Sequence, residues 1–374
     1  METYNLIKSN PVILYGAGEF GIVAAKILIQ FGIIPAYFCD KKKAGIETQT
    51  GLRIISPQEL FGYGDLNIII VSEKFNREIR QDLKTIGVDM NKVFDFNDVV
   101  RSIPDEPYLI AQFKHYLGYE LDIENPKTFN EKLQWLKLYD RNLKYTKLAD
   151  KYEVRKFVSE VIGEEYLVPI YGVWNNFDDI NFDILPNQFV LKCTHDSGGV
   201  MICIDKDNYD LKNARSFFSL RLEDNYYYHG REWCYKDIKP RIIAEKYLGD
   251  NLNDYKTFAF NGTVRATQVD FNRFTMHERN IYTNDWEYMP FSLKYPTNPK
   301  HTVEKPKRLG EMIQIAEKLS TGIPHVRVDL YYFDDKIYFG ELTLNHGGGY
   351  ELFTPSKYDE LFGSWIELPK KEQS

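Results

Sequence analysis

Two carboxylates in the C-terminal part of the chain, Asp329 and Glu341, are spaced so that a hairpin would bring them together. Residues 326–332 alternate apolar and polar side chains, as in a half-buried strand, and residues 337–344 form a returning strand after a tight turn at residues 334–336. Because side chains repeat every two residues along a strand, both carboxylates can lie on neighbouring strands at one site. Two negatively charged carboxylates at such a short separation require a cation. Carboxylates together with substrate phosphates suit Mg²⁺, so the pattern predicts a magnesium site.

The same strands carry further polar side chains to this site. Arg327 lies on the first strand, and Thr343 and Asn345 lie on the face of Glu341 in the second. The glycines at 347–349 would let the backbone approach a ligand closely. The alternative is an ordinary hairpin with polar residues on its solvent-facing side.

A second group suited to phosphate binding lies in the middle of the chain. Lys192 ends an apolar strand, and Ser197, Gly198 and Gly199 follow in a short loop before the next strand. An ammonium group and the backbone N–H groups of such a loop can clamp a phosphate. The alternative is an exposed lysine beside an ordinary turn.

Near the N-terminus, Gly16, Gly18 and Gly21 form a G-x-G-x-x-G motif between an apolar strand and a helical pattern, the context that a dinucleotide-binding turn requires. Asp40 follows the second strand, about where a ribose-binding carboxylate would lie. Residues 1–100 are predicted to form a small Rossmann-like domain, which resembles those of bacterial surface-sugar modification proteins. It would bind a nucleotide or nucleotide-sugar, or serve only as a structural or docking domain.

The composition is that of a soluble globular protein, with 43% apolar and 27% charged residues. A net charge of −7 does not favour nucleic acid or an anionic membrane as a partner. The four cysteines show no zinc or disulfide spacing, and the sequence contains no apolar run that could form a transmembrane segment. These features predict a cytoplasmic protein and leave its oligomeric state open.

Residues 101–107, which include two prolines, are predicted to link the first domain to a second domain covering residues 101–374. In that domain Thr128 and Glu131 form a capping box at the start of a helix. A further helix is predicted over residues 147–161.

Several strands follow. Residues 241–248 begin with an apolar strand, and the Asn-Gly pair at 261–262 joins two strands in a hairpin. Arg273 and Arg279 are predicted to lie on a polar loop after that hairpin.

The order of these features resembles the ATP-grasp enzymes over residues 105–365, and more narrowly their teichuronopeptide-biosynthesis (TupA-like) branch from bacterial surface-polysaccharide clusters. The resemblance is carried by several blocks in one order: TFNEKLQWLKLYDRN, LADKYEVRKFV, YLVPIYGVW, QFVLKCTHDSGG, REWCYKDIKPRIIAEKYL and RVDLYYFDDKIYFGELT. It implies an α/β chain in which a small Rossmann-like parallel-sheet domain precedes an ATP-grasp domain of the α+β type.

The resemblance also implies how ATP would be held. Lys151, on a helix, and Lys192, on a strand, would contact ATP phosphates beneath a mobile lid formed by the 197–199 loop. The adenine and ribose would be lined by residues at the end of the 241–248 strand: Glu245, Lys246 and Leu248.

By the same resemblance, Asp329, Glu341 and Asn345 would hold Mg²⁺. Arg327 would help to neutralise the transferred phosphoryl group, so that Arg327, Lys192 and Asn345 are the predicted catalytic residues. The chain departs from the usual Glu-x-Asn-x-Asn-Pro-Gly tail of the family in two places: Thr343 replaces the first asparagine and His346 replaces the proline.

ATP-grasp chemistry phosphorylates a carboxylate, after which an amine displaces the phosphate. The resemblance therefore implies an ATP-dependent carboxylate–amine ligase, acting in bacterial capsule or cell-surface polysaccharide biosynthesis on a small-molecule or polysaccharide-precursor carboxylate. Arg273 and Arg279 are candidates to bind that carboxylate. The alternatives are a glycosyltransferase that uses a nucleotide-sugar in the same pathway, and a non-catalytic nucleotide-sugar-binding protein.

Overall fold

The computed structural model describes residues 2–45, 51–63, 65–72, 74–249, 252–272 and 275–371. The chain divides into two compact units, Met1–Gln112 and Phe113–Ser374. Each unit contains its own buried apolar core.

The first unit is built on a parallel sheet whose strands are β1 (Val12–Tyr15), β2 (Pro35–Cys39), β3 (Ile54–Ile55), β4 (Asn67–Ile70) and β5 (Val93–Asp95). Their order across the sheet is β3-β2-β1-β4-β5. The helices are α1 (Glu2–Ser9), α2 (Glu19–Gln30), α3 (Asn76–Ile86), α4 (Phe96–Ser102) and α5 (Asp105–Leu117), the last of which ends in the second unit. Strands β1 and β4 are buried along their whole length, as in a parallel sheet covered on both faces. The predicted parallel-sheet domain is confirmed.

The segment 101–107 is not an irregular linker. It contains the end of α4 and the beginning of α5, with the helical path broken at Ile103 and Pro104. Ile103 adopts an extended conformation (φ −62°, ψ 126°) because the following proline ring disfavours the helical region for the residue before it.

The second unit is built on two antiparallel sheets. The four-stranded sheet, in the order β6-β9-β7-β8, contains β6 (Ile170–Trp174), β7 (Phe189–Cys193), β8 (Val200–Cys203) and β9 (Ile242–Lys246). The six-stranded sheet, in the order β13-β12-β11-β10-β15-β16, is formed by β10 (Asn253–Phe260), β11 (Thr263–Phe271), β12 (Glu278–Tyr282), β13 (Tyr288–Met289), β15 (Val326–Phe333) and β16 (Lys336–Thr343). A two-stranded sheet pairs β14 (Ser292–Leu293) with β17 (Phe353–Thr354).

The helices of this unit are α6 (Phe129–Tyr139), α7 (Lys144–Ala149), α8 (Val154–Val161), α9 (Leu211–Glu223), α10 (Tyr227–Gly230), α11 (Leu309–Ser320) and α12 (Lys357–Ser364). The predicted capping box is present at the start of α6, where the Thr128 hydroxyl accepts a hydrogen bond from the Glu131 N–H. Helix α11 buries Met312, Ile315 and Leu319 in the core beneath the six-stranded sheet.

The prediction of one continuous helix over residues 147–161 is wrong, because the helical conformation is interrupted between α7 and α8. Asp150 is extended there (φ −74°, ψ 116°), and its carboxylate accepts hydrogen bonds from the N–H groups of Tyr152 and Glu153. A side-chain acceptor of this kind competes with the helical backbone pattern and favours a new helix start. Lys151 therefore lies in the turn between two helices.

Candidate active site

The hairpin of β15 and β16 brings the two predicted carboxylates together. Asp329 is directly opposite Glu341, and Arg327 is opposite Thr343. A register shift follows Asp329, so the ladder is irregular at the carboxylate pair. Asp334 and Asp335, in the turn, both have positive φ values, which aspartate tolerates better than most residues.

Arg327 lies between the two carboxylates. Its Nε and one terminal nitrogen donate to the two oxygens of Asp329 at 2.6 and 2.7 Å, and the same terminal nitrogen lies 3.3 Å from Glu341 Oε1. The fork is bidentate and charge-assisted, the geometry that fixes a guanidinium most firmly. It places a permanent positive charge where the carboxylates meet.

Glu341 faces several cations from other elements. Lys151 Nζ lies 3.6 Å from its Oε2. Burial would raise the pKa of Glu341, but nearby positive charges lower it to about 2. These charges belong to Lys151, Arg327, Lys256 and Lys192. Glu341 is therefore ionised at neutral pH and available to a cation.

Lys151 also joins the glycine-containing loop after β7 to this site. Its ammonium group donates to the Asp196 carbonyl at 2.6 Å, and the Asp196 side chain in turn accepts from Arg221 of α9 at 2.6 Å. The tip of the loop, Ser197 and Gly198, is exposed. A side chain on Gly199 would collide with the Asp196 carboxylate, which explains a glycine there.

Lys192 faces away from the core of its sheet. Its Nζ lies 2.5 Å from Glu245 Oε2 and 5.9 Å from the centre of the Tyr331 ring on β15. Arg155 lies 4.0 Å from the other oxygen of Glu245. The two sheets thus face each other with lysines and carboxylates between them.

An apolar surface continues from Lys192 across the same face of the small sheet. Val200 is paired with Lys192, and Ile202 is paired with Val190, which is itself paired with Glu245. Directly paired residues share a face. Val200 and Ile202 nevertheless stay 39% and 54% exposed. Sequence reasoning missed them, because all four residues of β8 are apolar and show no alternation that would mark an exposed face.

The predicted adenine-binding segment ends at the rim of this face. The Lys246 N–H donates to the Pro169 carbonyl at 2.9 Å, so it is already occupied, and Leu248 is buried. Lys246 also lines an open groove of about 380 Å³, whose other walls are Tyr171, Pro186, Asn187, Gln188 and Tyr247.

The donor set at the hairpin fits Mg²⁺, since two carboxylates of opposed strands supply hard oxygen ligands. Among the described residues no third acidic residue, histidine or cysteine joins them in a metal-binding group. Further ligands would come from phosphates, water or Asn345. Asn345 is buried and, with Lys137 and His325, lines a cavity of about 30 Å³. Asp329 and Glu341 do not line this cavity.

Lys256 is a site residue that sequence reasoning missed. It lies on β10 directly opposite Asp329, is buried, contacts Asp254, and lies 3.8 Å from Asp270. A lysine at a buried position of an apolar strand was the signal. It adds a third strand of the large sheet to the site.

Arg279 is not on a loop, as predicted, but in strand β12. Its guanidinium donates to Asp270 at 2.7 Å and to Glu351 at 2.8 Å. It is buried in this network, so binding a substrate carboxylate would require an exchange with one of these partners. Arg273 lies outside the described residues.

His346 connects Arg327 to the same network. A guanidinium only donates, so His346 Nδ1 accepts from Arg327 at 2.8 Å and its Nε2–H donates to Glu351 at 3.0 Å. Burial lowers the pKa of His346 to about 4, although Glu351 raises it. The neutral imidazole therefore fixes the Arg327 guanidinium through the nitrogen that does not contact Asp329.

The glycine motif of the first unit forms a tight turn before α2. A Cβ on Gly21 would lie 2.0 Å from the Gly16 carbonyl oxygen, whereas one on Gly18 would meet nothing within 4 Å. The Asp40 carboxylate accepts hydrogen bonds from the Ala17 N–H at 3.1 Å and from the Lys42 N–H at 2.8 Å. Asp40 therefore holds the turn together, and a ribose hydroxyl would compete with these donors.

No helix among the described residues has the length and apolar character needed to cross a membrane. All four cysteines are buried free thiols.

Comparisons with known proteins give one match over most of the second unit. A family model described as TupA-like ATPgrasp matches residues 131–367, and one described as C2185-like, N-terminal, matches residues 8–94. No curated protein matches the chain.

Among solved structures, the chain is similar to a D-alanine–D-alanine ligase from Bacillus anthracis, with 13% identity, a TM-score of 0.32 and coverage of 95% of this chain and 93% of that one. It is also similar to an L-amino acid ligase from Bacillus licheniformis, with 13% identity, a TM-score of 0.35 and coverage of 91% and 69%.

Proposed function

The chain belongs to the TupA-like ATP-grasp family, and we propose that it is an ATP-dependent carboxylate–amine ligase that forms an amide through an acyl phosphate. The observation that carries the proposal is a cluster of charges in which Lys151, Lys192 and Arg327 are each paired with a carboxylate. The neighbouring carboxylates keep these buried cations charged at the positions where phosphate oxygens would bind.

The roles of the basic residues follow from their positions. Lys151, which lies 3.6 Å from Glu341, and Lys192, which lies 2.5 Å from Glu245, would hold the phosphates of ATP. The exposed apolar surface of Val200 and Ile202 adjoins Lys192 and would support the adenine ring. Arg327, fixed by Asp329 and His346, would oppose the charge that develops on the transferred phosphoryl group.

Asp329 and Glu341, with Asn345 as the third ligand, would hold Mg²⁺. When bound, the ion would neutralise phosphate oxygens and orient the transferred group. The protein then needs no side-chain nucleophile, because attack on the acyl phosphate is favoured by a good leaving group and by exclusion of water. The tip of the 197–199 loop, anchored through Asp196 but exposed at Ser197 and Gly198, is suited to close over the phosphates.

We assign the carboxylate substrate to a precursor of a bacterial surface polysaccharide, on the strength of the sequence blocks shared with the teichuronopeptide branch. Synthesis from ATP and soluble precursors would take place in the cytoplasm. The first unit would contribute a nucleotide or nucleotide-sugar site at the Gly16–Gly21 turn, where Gly18 leaves open space at the N-terminus of α2.

The test is an acyl-phosphate trap. The protein is offered uronate-bearing and amino-acid-bearing sugar precursors with ATP, Mg²⁺ and hydroxylamine, and ADP and hydroxamate are measured. We expect hydroxamate only when ATP and one class of carboxylate are both present. A hexose-sized mass gain in the acceptor without any nucleoside triphosphate would instead identify a glycosyltransferase and overturn the proposal.

A further inference from the structure

Glu232 is a buried carboxylate beside the candidate active site that makes no direct polar contact. It follows α10, is 8% exposed, and forms neither a side-chain hydrogen bond nor an ion pair with any residue in the described part of the chain. The carboxylates of the site itself, such as Asp329 and Glu245, are each held by a cation. A buried carboxylate without donors is costly, so its retention points to a donor that arrives with a ligand.

The position of Glu232 relates it to the reaction centre. Its Oε1 lies 3.8 Å from where a Cβ on Gly348 would be, next to the chain segment that follows β16. Burial raises the pKa of Glu232, while the charges of Lys137 and Arg327 lower it and that of Glu341 raises it. The carboxylate is thus within electrostatic range of the Arg327–Glu341 pair.

Lys137 balances the charge of Glu232 without contacting it. Its ammonium group donates to Gln134 Oε1 at 3.0 Å, to the Gly230 carbonyl at 2.9 Å and to the Gly348 carbonyl at 2.6 Å. These bonds use all three N–H donors of a lysine. Lys137 therefore links α6 to the backbone at Gly230 and Gly348. It has no donor left for the Glu232 carboxylate, which can accept from another cation.

We infer that Glu232 binds the ammonium group of the amine substrate and accepts its proton before attack; the inference rests on the proposed ligase function. The steps balance. One N–H proton passes to the Glu232 carboxylate, and the amine nitrogen then forms a bond to the acyl carbon. The bond from that carbon to the phosphate oxygen breaks, and the second N–H proton leaves with the phosphate as HPO₄²⁻. The product is a secondary amide.

The experiment compares Glu232→Gln and Glu232→Asp with wild type, using the carboxylate precursor for which wild type forms a hydroxamate. Hydroxylamine is the neutral nucleophile at neutral pH, methylammonium is the cationic probe, and methanol is its uncharged counterpart. Glu223→Gln, at the exposed end of α9, is the matched charge control. Melting temperatures and ATP affinities of all variants are recorded alongside.

We expect methylammonium, but not methanol, to suppress hydroxamate formation by wild type and by Glu223→Gln. In Glu232→Gln the concentration needed should rise by about tenfold, the effect of losing one ion contact of about 1.4 kcal/mol. Hydroxamate formation and ATP affinity should change far less, and Glu232→Asp should recover part of the methylammonium response.

Other results would overturn the inference. If methylammonium has no effect on wild type, the amine site lies elsewhere. If Glu232→Gln loses hydroxamate formation, ATP affinity and thermal stability together, Glu232 serves only to balance Lys137. Absence of hydroxamate from wild type with every precursor contradicts the ligase function itself, which is a separate outcome.

Discussion

The Lys192 ammonium group lies 2.5 Å from Glu245 Oε2, and Arg155 lies 4.0 Å from the other carboxylate oxygen. Both side chains of the close pair are largely buried. Burial alone would lower the pKa of Lys192, but Glu245 and Tyr331 raise it above its ordinary value. The lysine is therefore charged before any nucleotide arrives, and Glu245 is the partner that a phosphate must replace.

This pairing predicts that Lys192→Ala loses both nucleotide affinity and stability. Removing one member of a buried pair leaves the other charge uncompensated and costs about 3 kcal/mol, while Arg155 offsets part of that cost. ATP affinity should fall by about tenfold or more, since a charge-assisted phosphate contact is lost. Calorimetric titration with a non-hydrolysable ATP analogue and urea unfolding measure the two effects.

The double variant Lys192→Ala/Glu245→Gln separates the two effects. It should regain part of the stability, because the buried carboxylate left by Lys192→Ala is neutralised although Arg155 loses Glu245 as a partner, but it should not regain the nucleotide affinity. Recovery of both would mean that Lys192 serves the fold and not the phosphates.

Glu341→Gln should abolish Mg²⁺-dependent turnover while leaving the fold intact. The amide retains the shape of the side chain but lacks the charge that Lys151 and a metal ion would share. We expect ATP-dependent activity to fall on the order of a hundredfold or more, and the melting temperature to fall without loss of the fold, because Lys151 and Arg327 lose one charge partner. Asp334→Asn, in the turn of the same hairpin and exposed, is the matched control and should behave as wild type. Unchanged activity in Glu341→Gln would remove this residue from the site.

His346 should make stability depend on pH in a defined direction. Its pKa falls from the ordinary 6.5 to about 4 in the folded protein, so only the unfolded chain takes up a proton between these values. The neutral ring therefore contributes about 3 kcal/mol to the free energy of unfolding. This contribution is fully present above pH 6.5 and is lost as the pH falls toward 4.

Measurement of this effect requires a difference, because buried carboxyl groups such as Asp359, whose pKa is raised to about 6, act in the opposite direction. His346→Gln can still accept from Arg327 and donate to Glu351. The free energy of unfolding of wild type minus that of His346→Gln should therefore fall as the pH is lowered through this window. A difference that does not vary with pH would contradict the assignment of a neutral His346.

The glycine turn of the first unit gives a matched pair of substitutions. Gly21→Ala should destabilise this unit by about 2 kcal/mol or more, because its Cβ would lie 2.0 Å from the Gly16 carbonyl oxygen. Gly18→Ala should cost much less, since a Cβ there meets nothing within 4 Å and only the helix N-cap is weakened. If a nucleotide or UDP-sugar binds there, Gly18→Ala should weaken it in a titration with NAD and UDP-sugars. Equal binding by wild type and Gly18→Ala would place any ligand elsewhere.

Deletion of residues 1–112, which ends at the boundary between the two units, should leave a folded protein that still binds ATP. Every residue assigned to ATP or to metal in the second unit lies beyond that point, and the apolar cores of the two units are separate. Thermal unfolding and ATP titration of the shortened chain provide the check. An insoluble product, or one without nucleotide affinity, would contradict the proposed domain boundary.

Much of the local structure was readable from the sequence, because it depends on residues close together in the chain. Alternation along residues 326–332 and the turn at Asp334 and Asp335 predicted that Asp329 and Glu341 lie near each other. A regular register from that turn would pair Asp329 with residue 340, and the register shift after Asp329 is what brings it opposite Glu341. The capping box at Thr128 likewise needs only its own helix start. The parallel sheet of the first unit followed from apolar strands alternating with helical patterns.

Other local predictions failed where a distant partner intervened. The helix expected through Lys151 is interrupted because Asp150 turns its carboxylate to the N–H groups that follow, and because Arg241 holds that carboxylate at 2.6 Å. Arg279 was expected on a loop but lies in strand β12, where it pairs with Asp270 of β11. Side-chain acceptors and ion pairs of this kind are not visible as a periodic pattern.

The composition of the site was decided by the tertiary structure. Alternation states which side chains share a face of one strand, but not which faces of different sheets meet. Lys151 reaches Glu341, and Lys192 reaches the Tyr331 ring, only because the two antiparallel sheets of the second unit face each other. The same packing buries Glu232 beside Lys137 without a direct donor. Burial and charge balance are properties of the assembled fold, and no stretch of sequence specifies them alone.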